Sequence, residues 1–344
     1  MTIHPIPASC IQPSGIYCLP RKRFQHYRVL DKTPEVGDVL YGTVCHLGFH
    51  SSLENKLGRI HAINDGTRAL FVVGSRYAPD AFEGIVPETF TEKMDLLARS
   101  GLVGKLLSKS SMVKDPTRIQ VHGYACDPDG GLINTRNYPL IKEPRPLVIS
   151  RARAKMILVV GTAMNSGKSC AAASICWALS SQGHTVRGSK ITGTASLQDI
   201  LHMEDAGASP VADFTYFGYP STYLLNEKEI SGIFDRLDRR YANNPKNYWV
   251  VEIADGILQR ETAMLLRNPR VQSRIHRLVF AASDALGVLG GLMVLKNTYG
   301  LTPDLISGKC SGLPLAVQEI KEHTDIPIIS NMQPELASLR KLVL

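Results

Sequence analysis

The strongest constraint on this chain is the segment Val159 to Ser169, Val-Val-Gly-Thr-Ala-Met-Asn-Ser-Gly-Lys-Ser. An apolar run, Met156 to Val160, feeds a glycine-bearing loop. The loop ends in Gly167-Lys168-Ser169 and opens into an alanine-rich stretch, Ala171–Leu179, that reads as a helix. Strand, tight loop and helix N-terminus in that order make an anion site, because loop N–H groups and the positive end of the helix converge on one point. Gly167 lets the backbone approach phosphate, Lys168 reaches the β- and γ-phosphates, and the Ser169 hydroxyl is placed to ligate magnesium. The pattern departs from a strict G-x-x-x-x-G-K-[ST]: five residues separate Gly161 from Gly167, and Thr162 holds the usual glycine position. Gly161, Thr162, Asn165, Ser166, Gly167, Lys168, Ser169 and Cys170 are the expected nucleotide contacts.

Beyond the loop, short apolar runs alternate with helix-like stretches. Thr185–Gly188, Val211–Phe214, Tyr248–Ile253, Leu278–Ala282, Asp304–Ser307 and Ile326–Ile329 read as strands, about seven with the first. Glu227–Tyr241, Arg260–Arg267, Asp284–Lys296 and Leu313–Glu322 read as helices. Alternation of this kind predicts an α/β fold, a parallel sheet with helices on both faces.

These residues carry a resemblance. Gly161-Thr162, Gly167-Lys168-Ser169, the helix after them, and Lys190 with Gly193 in RGSKITGTAS are similar to the opening of dethiobiotin synthetase. That family reads G-T-D-T-x-V-G-K-[ST] and then K-P-V-x-[ST]-G. Its later V-E-G-A-G-G resembles Val251 to Gly256, with Glu252 at the family's magnesium-binding glutamate. Ala163 replaces the family's first aspartate, and Ile253 and Asp255 replace pocket glycines, which points away from dethiobiotin itself. Gly207-Ala208, Val211 and Asp213-Phe214 resemble a G-A-x-x-V-x-D-F stretch of uncharacterised dethiobiotin-synthetase-like P-loop proteins. The likeness spans about residues 156–330 and implies a P-loop NTPase domain. It also implies a magnesium–ATP cofactor, with GTP left open, and ligase-like activation of a small carboxylate or carbamate.

Candidate site residues follow from strand ends, where functional loops leave a parallel sheet. Lys168, Lys190 and Asp255 are the expected catalytic groups; Ser169, Glu252 and Asp205 are the expected metal partners. Asp199, Glu204 and Asp213 remain alternatives to Asp205; the plain alternative for Lys190 is a surface lysine after a strand, and for Glu252 and Asp255 a strand-end charge in solvent. Gly308-Lys309-Cys310-Ser311-Gly312 reads either as a base-binding segment or as a turn. Arg76-Tyr77-Ala78-Pro79-Asp80 with Glu83 reads as a loop anchored by an ion pair, or as a second ligand site.

The first part of the chain reads differently. Val39–Val44, Gly58–Ala62, Ala69–Val73 and Arg118–Tyr124 are short β runs separated by Asn64-Asp65-Gly66 and Asp127-Pro128-Asp129-Gly130-Gly131. Met94, Leu97, Leu102 and Leu106 give near-helical spacing over 91–108. A smaller β-rich domain, a barrel or sandwich, is expected over 1–145, a basic, proline-bearing linker over 146–155, and the nucleotide domain over 156–344.

Composition narrows the function classes. The chain has 344 residues with 44% hydrophobic and 20% charged, enough for a real core and too apolar for disorder. No apolar run approaches the length of about 18 that a membrane helix needs. Lys plus Arg is 39 and Asp plus Glu is 31. The one dense basic cluster is Arg21-Lys22-Arg23 with Arg28, so nucleic acid is not the expected partner. Seven scattered cysteines with no C-x-x-C read as cytoplasmic thiols. His46 and His50 lie in strand and turn, not in a zinc pattern. The expected partners are a nucleoside triphosphate, an unknown small acidic substrate and further copies of the chain. The competing function is an NTPase switch signalling through the N-terminal domain to a protein or nucleic acid. Thr162-Ala163-Met164 lacks the early second lysine of dimerising ParA-type switches.

Overall fold

The computed structural model describes residues 2–20, 25–142, 153–330 and 335–343. The basic run 21–23 and residues 143–152, which include 146–152 of the expected linker, lie outside them. The chain divides into two compact units, Met1–Lys142 with Thr194–Gln198 and Phe214–Leu224, and the remainder from Glu143. Residues 194–198 and 214–224, inside the span expected for the nucleotide domain, thus group with the first unit.

The first unit is built on β1 (Val39–His46), β2 (Arg68–Val73), β3 (Lys93–Ala98), β4 (Leu102–Lys109) and β5 (Thr117–Cys126). Pairing runs β1–β2–β4–β3–β5 and back to β1, which closes a five-stranded barrel. Only β2–β4 is parallel. Closure leaves these strands without open edges. Alternate residues Leu40 and Val44, Phe71 and Val73, Met94 and Leu96, Ile119 and Val121 fill the interior. Shorter strands, Ile3–Pro5, His26–Arg28, Arg76–Tyr77 and Phe82–Ile85, extend the sheet.

The helix expected over 91–108 is instead the β3–β4 hairpin. Spacings of three, five and four between its apolar residues imitate a helix, but Gly101 takes φ +80° and turns the chain between the strands. Met94 and Leu96 then alternate inward as strand residues do.

The second unit holds β6 (Lys155–Gly161), β7 (Val186–Lys190), β8 (Val211–Asp213), β9 (Tyr248–Glu252), β10 (Ile275–Ala281) and β11 (Leu305–Ser307). They form one parallel sheet in the order β8-β7-β9-β6-β10-β11. Ile326–Ile329 contributes a single bridge, Ile306 to Ile328, rather than a strand. The helices are α1 (Lys168–Ser180), α2 (Leu197–Asp205), α3 (Glu227–Tyr241), α4 (Arg260–Arg267), the short α5 (Pro269–Gln272), α6 (Ala285–Tyr299), α7 (Pro314–Lys321) and α8 (Leu336–Val343). β6 is buried along nearly its whole length, as its unbroken apolar run requires of a central parallel strand. α3 starts on a capping box of Asn226 and Glu229 and buries Ile230, Ile233, Phe234, Leu237 and Tyr241 as one stripe. Among the described residues no helix is long and apolar enough to cross a membrane, and the seven cysteines form no disulfide.

Candidate phosphate-binding site

The sheet aligns the site. In register across three strand pairs, Val159 on β6 faces Glu252 on β9, Glu252 faces Lys190 on β7, and Lys190 faces Asp213 on β8. Glu252, Lys190 and Asp213 are the last residues of their strands, and Val159 lies two residues before the end of β6. The strand order reverses direction at β6, the place where such sheets open a crevice for ligands.

The loop after β6 is pinned from three sides. Thr162 N–H donates to the Ala281 carbonyl at 3.0 Å, Ile257 N–H to the Gly161 carbonyl at 2.9 Å, and Lys309 N–H to the Ser166 carbonyl at 3.0 Å. Gly167, with φ +99°, is the left-handed residue that turns the loop into α1. Gly256 lies against the loop so closely that a Cβ there would stand 2.2 Å from the Thr162 carbonyl oxygen. The segment Gly308–Gly312 thus supports the loop from below. Lys309–Gly312 forms a helical turn, and Ser311 Oγ donates to the Gly308 carbonyl at 2.6 Å.

Within this frame Lys168, only 5% exposed, curls back so that Nζ donates to the Ala163 carbonyl at 2.7 Å. Burial pulls its pKa down, and the negative charges of Glu252 and Asp255 oppose that shift. Ser169 Oγ donates to Glu252 Oε1 at 3.1 Å. Glu252 is 2% exposed, and its Oε2 is buried with no hydrogen-bond partner among the described residues. Burial raises the Glu252 pKa, and Lys190 opposes the rise. Ser166 Oγ is likewise buried and unsatisfied. Two orphaned oxygens beside a glycine loop are the expected state of groups that serve a ligand rather than the core.

Lys190 is 7% exposed and forms an ion pair with Asp199 in the first turn of α2. Burial alone lowers a lysine pKa, but Asp199 and Glu252 outweigh it and hold Lys190 above its ordinary value. Its charge is therefore retained in the interior. The field of Asp255, three residues past β9, reaches both lysines.

Of the acidic alternatives, the structure puts Asp199 against Lys190 and Asp213 opposite it in the sheet. Asp205 is placed elsewhere: it is exposed at the last position of α2, six residues or about 9 Å of helix beyond Asp199. Glu204 is exposed as well. α2 had no clear sequence signal, so the choice between Asp199 and Asp205 was not legible there. Cys170 is half-buried in the first turn of α1. In the first unit, Arg76 Nη1 lies 2.9 Å from His50 Nε2, and Glu83 accepts from Tyr223 Oη at 2.8 Å and from Ser108 Oγ at 3.1 Å.

No group of three His, Cys, Asp or Glu side chains among the described residues forms a metal cage. Magnesium does not need one: it is commonly held by one or two carboxylates together with substrate phosphates and water. A serine hydroxyl and a carboxylate with one unsatisfied oxygen are hard oxygen donors that fit such an ion.

No protein-family model and no curated protein matches the chain. Several solved structures resemble it at low similarity. The signal recognition particle receptor FtsY from Elizabethkingia anophelis, in complex with GDP, has 14% identity and a TM-score of 0.35 over 55% of this chain. The alignment spans 61% of that receptor chain. HypB from Helicobacter pylori, in complex with nickel, has 17% identity and a TM-score of 0.34, covering 55% of this chain and 84% of its own. A nucleotide-binding protein from Archaeoglobus fulgidus, in complex with ADP, has 12% identity and a TM-score of 0.33, covering 55% and 85%. The glycine loop between β6 and α1, set in a parallel sheet, gives the second unit the fold of a P-loop NTPase; the β-barrel unit precedes it.

Proposed function

We propose that the second unit binds a nucleoside triphosphate, ATP in the first instance with GTP open, on residues 161–170. On this reading it spends the nucleotide on a small carboxylate or carbamate. The observation that carries this is the row Glu252–Lys190–Asp213 beside the loop, with Lys190 buried and held charged. A lysine kept charged in the interior, one strand away from the glutamate that meets Ser169, suits a reaction that brings two anions together.

Magnesium would be held by Ser169 and Glu252, and when bound it would neutralise phosphate charge. The chain's own groups do the rest. Loop N–H groups and Lys168 orient the β- and γ-phosphates, and Lys168 exchanges its bond to the Ala163 carbonyl for phosphate. Lys190 draws the substrate carboxylate to the γ-phosphorus. A carboxylate oxygen then forms the new P–O bond while the bond to the β-phosphate oxygen breaks, leaving a nucleoside diphosphate and an acyl phosphate. A neighbouring amine displaces phosphate from that acyl group and closes the product. This is ligase chemistry of the dethiobiotin-synthetase-like kind, achieved by positioning and charge rather than by a protein nucleophile.

A second reading has its own observation. Lys190 is bonded to Asp199 at the start of α2, so phosphate arriving at Lys190 competes with that pair. A shift of α2 is something a protein partner can read, as a slow NTPase switch requires. Screening small carboxylic acids for stimulation of ADP or GDP release separates the two. Stimulation by one acid supports the ligase; stimulation only by a macromolecule supports the switch.

A further inference from the structure

Glu54 is a buried acid to which the nucleotide reading gives no role. It ends the strand Ser52–Glu54, which pairs with Ile60–Ala62 in a hairpin of the first unit, and it is only 3% exposed. A carboxylate so buried needs partners. Those partners are the opening backbone donors of α2: Leu197 N–H donates to Oε2 at 2.9 Å and Gln198 N–H to Oε1 at 3.2 Å. The first N–H groups of a helix have no intrahelical acceptor, and an acid beside them also meets the positive end of the helix. A cap commonly comes from the residue just before the helix. Here the acid comes from 143 residues earlier in the chain.

The hairpin that carries Glu54 is firmly tied. Glu54 N–H donates to the Arg99 carbonyl at 2.8 Å and Asn55 N–H to the Arg59 carbonyl at 2.9 Å. Asn55 Oδ1 accepts from the N–H groups of Leu57 and Arg59 at 2.9 and 3.0 Å. Gln198 Nε2 adds a bond from the helix to the Gly58 carbonyl at 2.9 Å. Leu197 and Gln198 group with Glu54 in the first unit, and the helix runs on into the second unit from Asp199. Asp199 thus directly follows the two residues that Glu54 holds. With those donors satisfied by Glu54, the Asp199 carboxylate is available to Lys190, its ion-pair partner.

We propose that Glu54 is a positioning residue for the candidate site: it fixes the first turn of α2 and thereby holds Asp199 on Lys190. Glu54 touches neither lysine nor nucleotide loop in this account and acts only through the helix. Its consequence for turnover rests on the proposed function; the hold on Lys190 does not.

The test uses the full chain without nucleotide. Proton exchange at Lys190 Nζ is followed by heteronuclear NMR at fixed pH, with the signal assigned by its loss in Lys190→Arg. Wild type should show a protected Nζ signal. Glu54→Gln keeps the shape but removes the charge and replaces one acceptor by a donor, so exchange should quicken about tenfold. Asp199→Asn should quicken it at least as much, and the double variant should exchange no faster than Asp199→Asn alone, because the two act along one path. Unchanged exchange in Glu54→Gln overturns the proposal, and so does an equal quickening with and without Asp199. Should Glu54→Gln lose its circular dichroism, Gln198→Ala decides at an exposed position: about threefold faster exchange is expected, and none overturns the proposal. With a stimulating acid, Glu54→Gln should lower the KM of that acid about threefold, since Asp199 competes less for Lys190. An unchanged KM overturns the positioning role. If no acid stimulates wild type, the ligase reading fails, and the exchange measurement still decides this one.

Discussion

Lys190 and Glu252 face each other in register at the carboxyl ends of neighbouring parallel strands, and each is at least nine-tenths buried. Two opposite charges so placed pay a large desolvation cost, and natural chains keep such pairs where a ligand needs them. Glu252 also meets Ser169 on α1, and Lys190 also meets Asp199 on α2. The pair thus connects the loop's helix to the next helix in the chain.

Removing the Lys190 charge should separate turnover from binding. Two unit charges about 4 Å apart repel by roughly 4 kcal/mol at an effective dielectric of 20. A lysine between the γ-phosphate and a carboxylate offsets much of this. Lys190→Ala should lower acid-stimulated turnover about a hundredfold with a much smaller loss of nucleotide affinity. Equal turnover in variant and wild type would leave Lys190 a structural ion-pair partner.

Glu252→Gln keeps the shape and the Ser169 contact but removes a negative charge. Turnover should then need several-fold more magnesium, with nucleotide affinity measured without magnesium little changed. A magnesium titration that superimposes on wild type would remove Glu252 from the metal's neighbourhood.

Gly256→Ala tests the loop's support. The added methyl would meet the Thr162 carbonyl, 2.2 Å from its Cβ, so the loop must move. Overpacking against backbone costs about 1–3 kcal/mol. The expected result is a lower melting temperature together with at least a tenfold weaker nucleotide, read by thermal denaturation with and without ligand.

Acid stability should report His50 in the barrel unit. Burial, with Arg76 beside it, pushes its pKa down to about 3. The unfolded chain takes up a proton near pH 6.5 and the folded chain does not until about pH 3. Unfolding free energy should therefore fall as pH drops through that window, by up to about 1.4 kcal/mol per pH unit. His50→Gln should remove about one proton from the slope. An unchanged slope would mean that the ring is not held neutral.

The loop and the parallel sheet were legible because each depends on local signals. Met156–Val160 is apolar without interruption, and Gly167-Lys168-Ser169 stands at a helix start. What escaped depends on distant partners. The β3–β4 hairpin was hidden because Met94, Leu97, Leu102 and Leu106 fit helical spacing as well as strand spacing, and only barrel closure decides between them. The choice between Asp199 and Asp205 as a metal partner was open because α2 follows a turn and its start had no clear signal; once α2 begins at Leu197, Asp199 falls in its first turn and Asp205 in its last. The grouping of 194–198 and 214–224 with the barrel unit rests on contacts such as Thr135 Oγ1 to the Gly218 carbonyl at 2.6 Å, between residues 83 apart in the chain.

On the proposed function, residues 161–170 hold a nucleoside triphosphate. Calorimetric titration of ATP and GTP with magnesium into the wild type and into Lys168→Ala tests it directly. One nucleotide should bind per chain, and the variant, still folded by circular dichroism, should lose affinity at least a hundredfold. No heat with either nucleotide, or equal affinity in the variant, would contradict it.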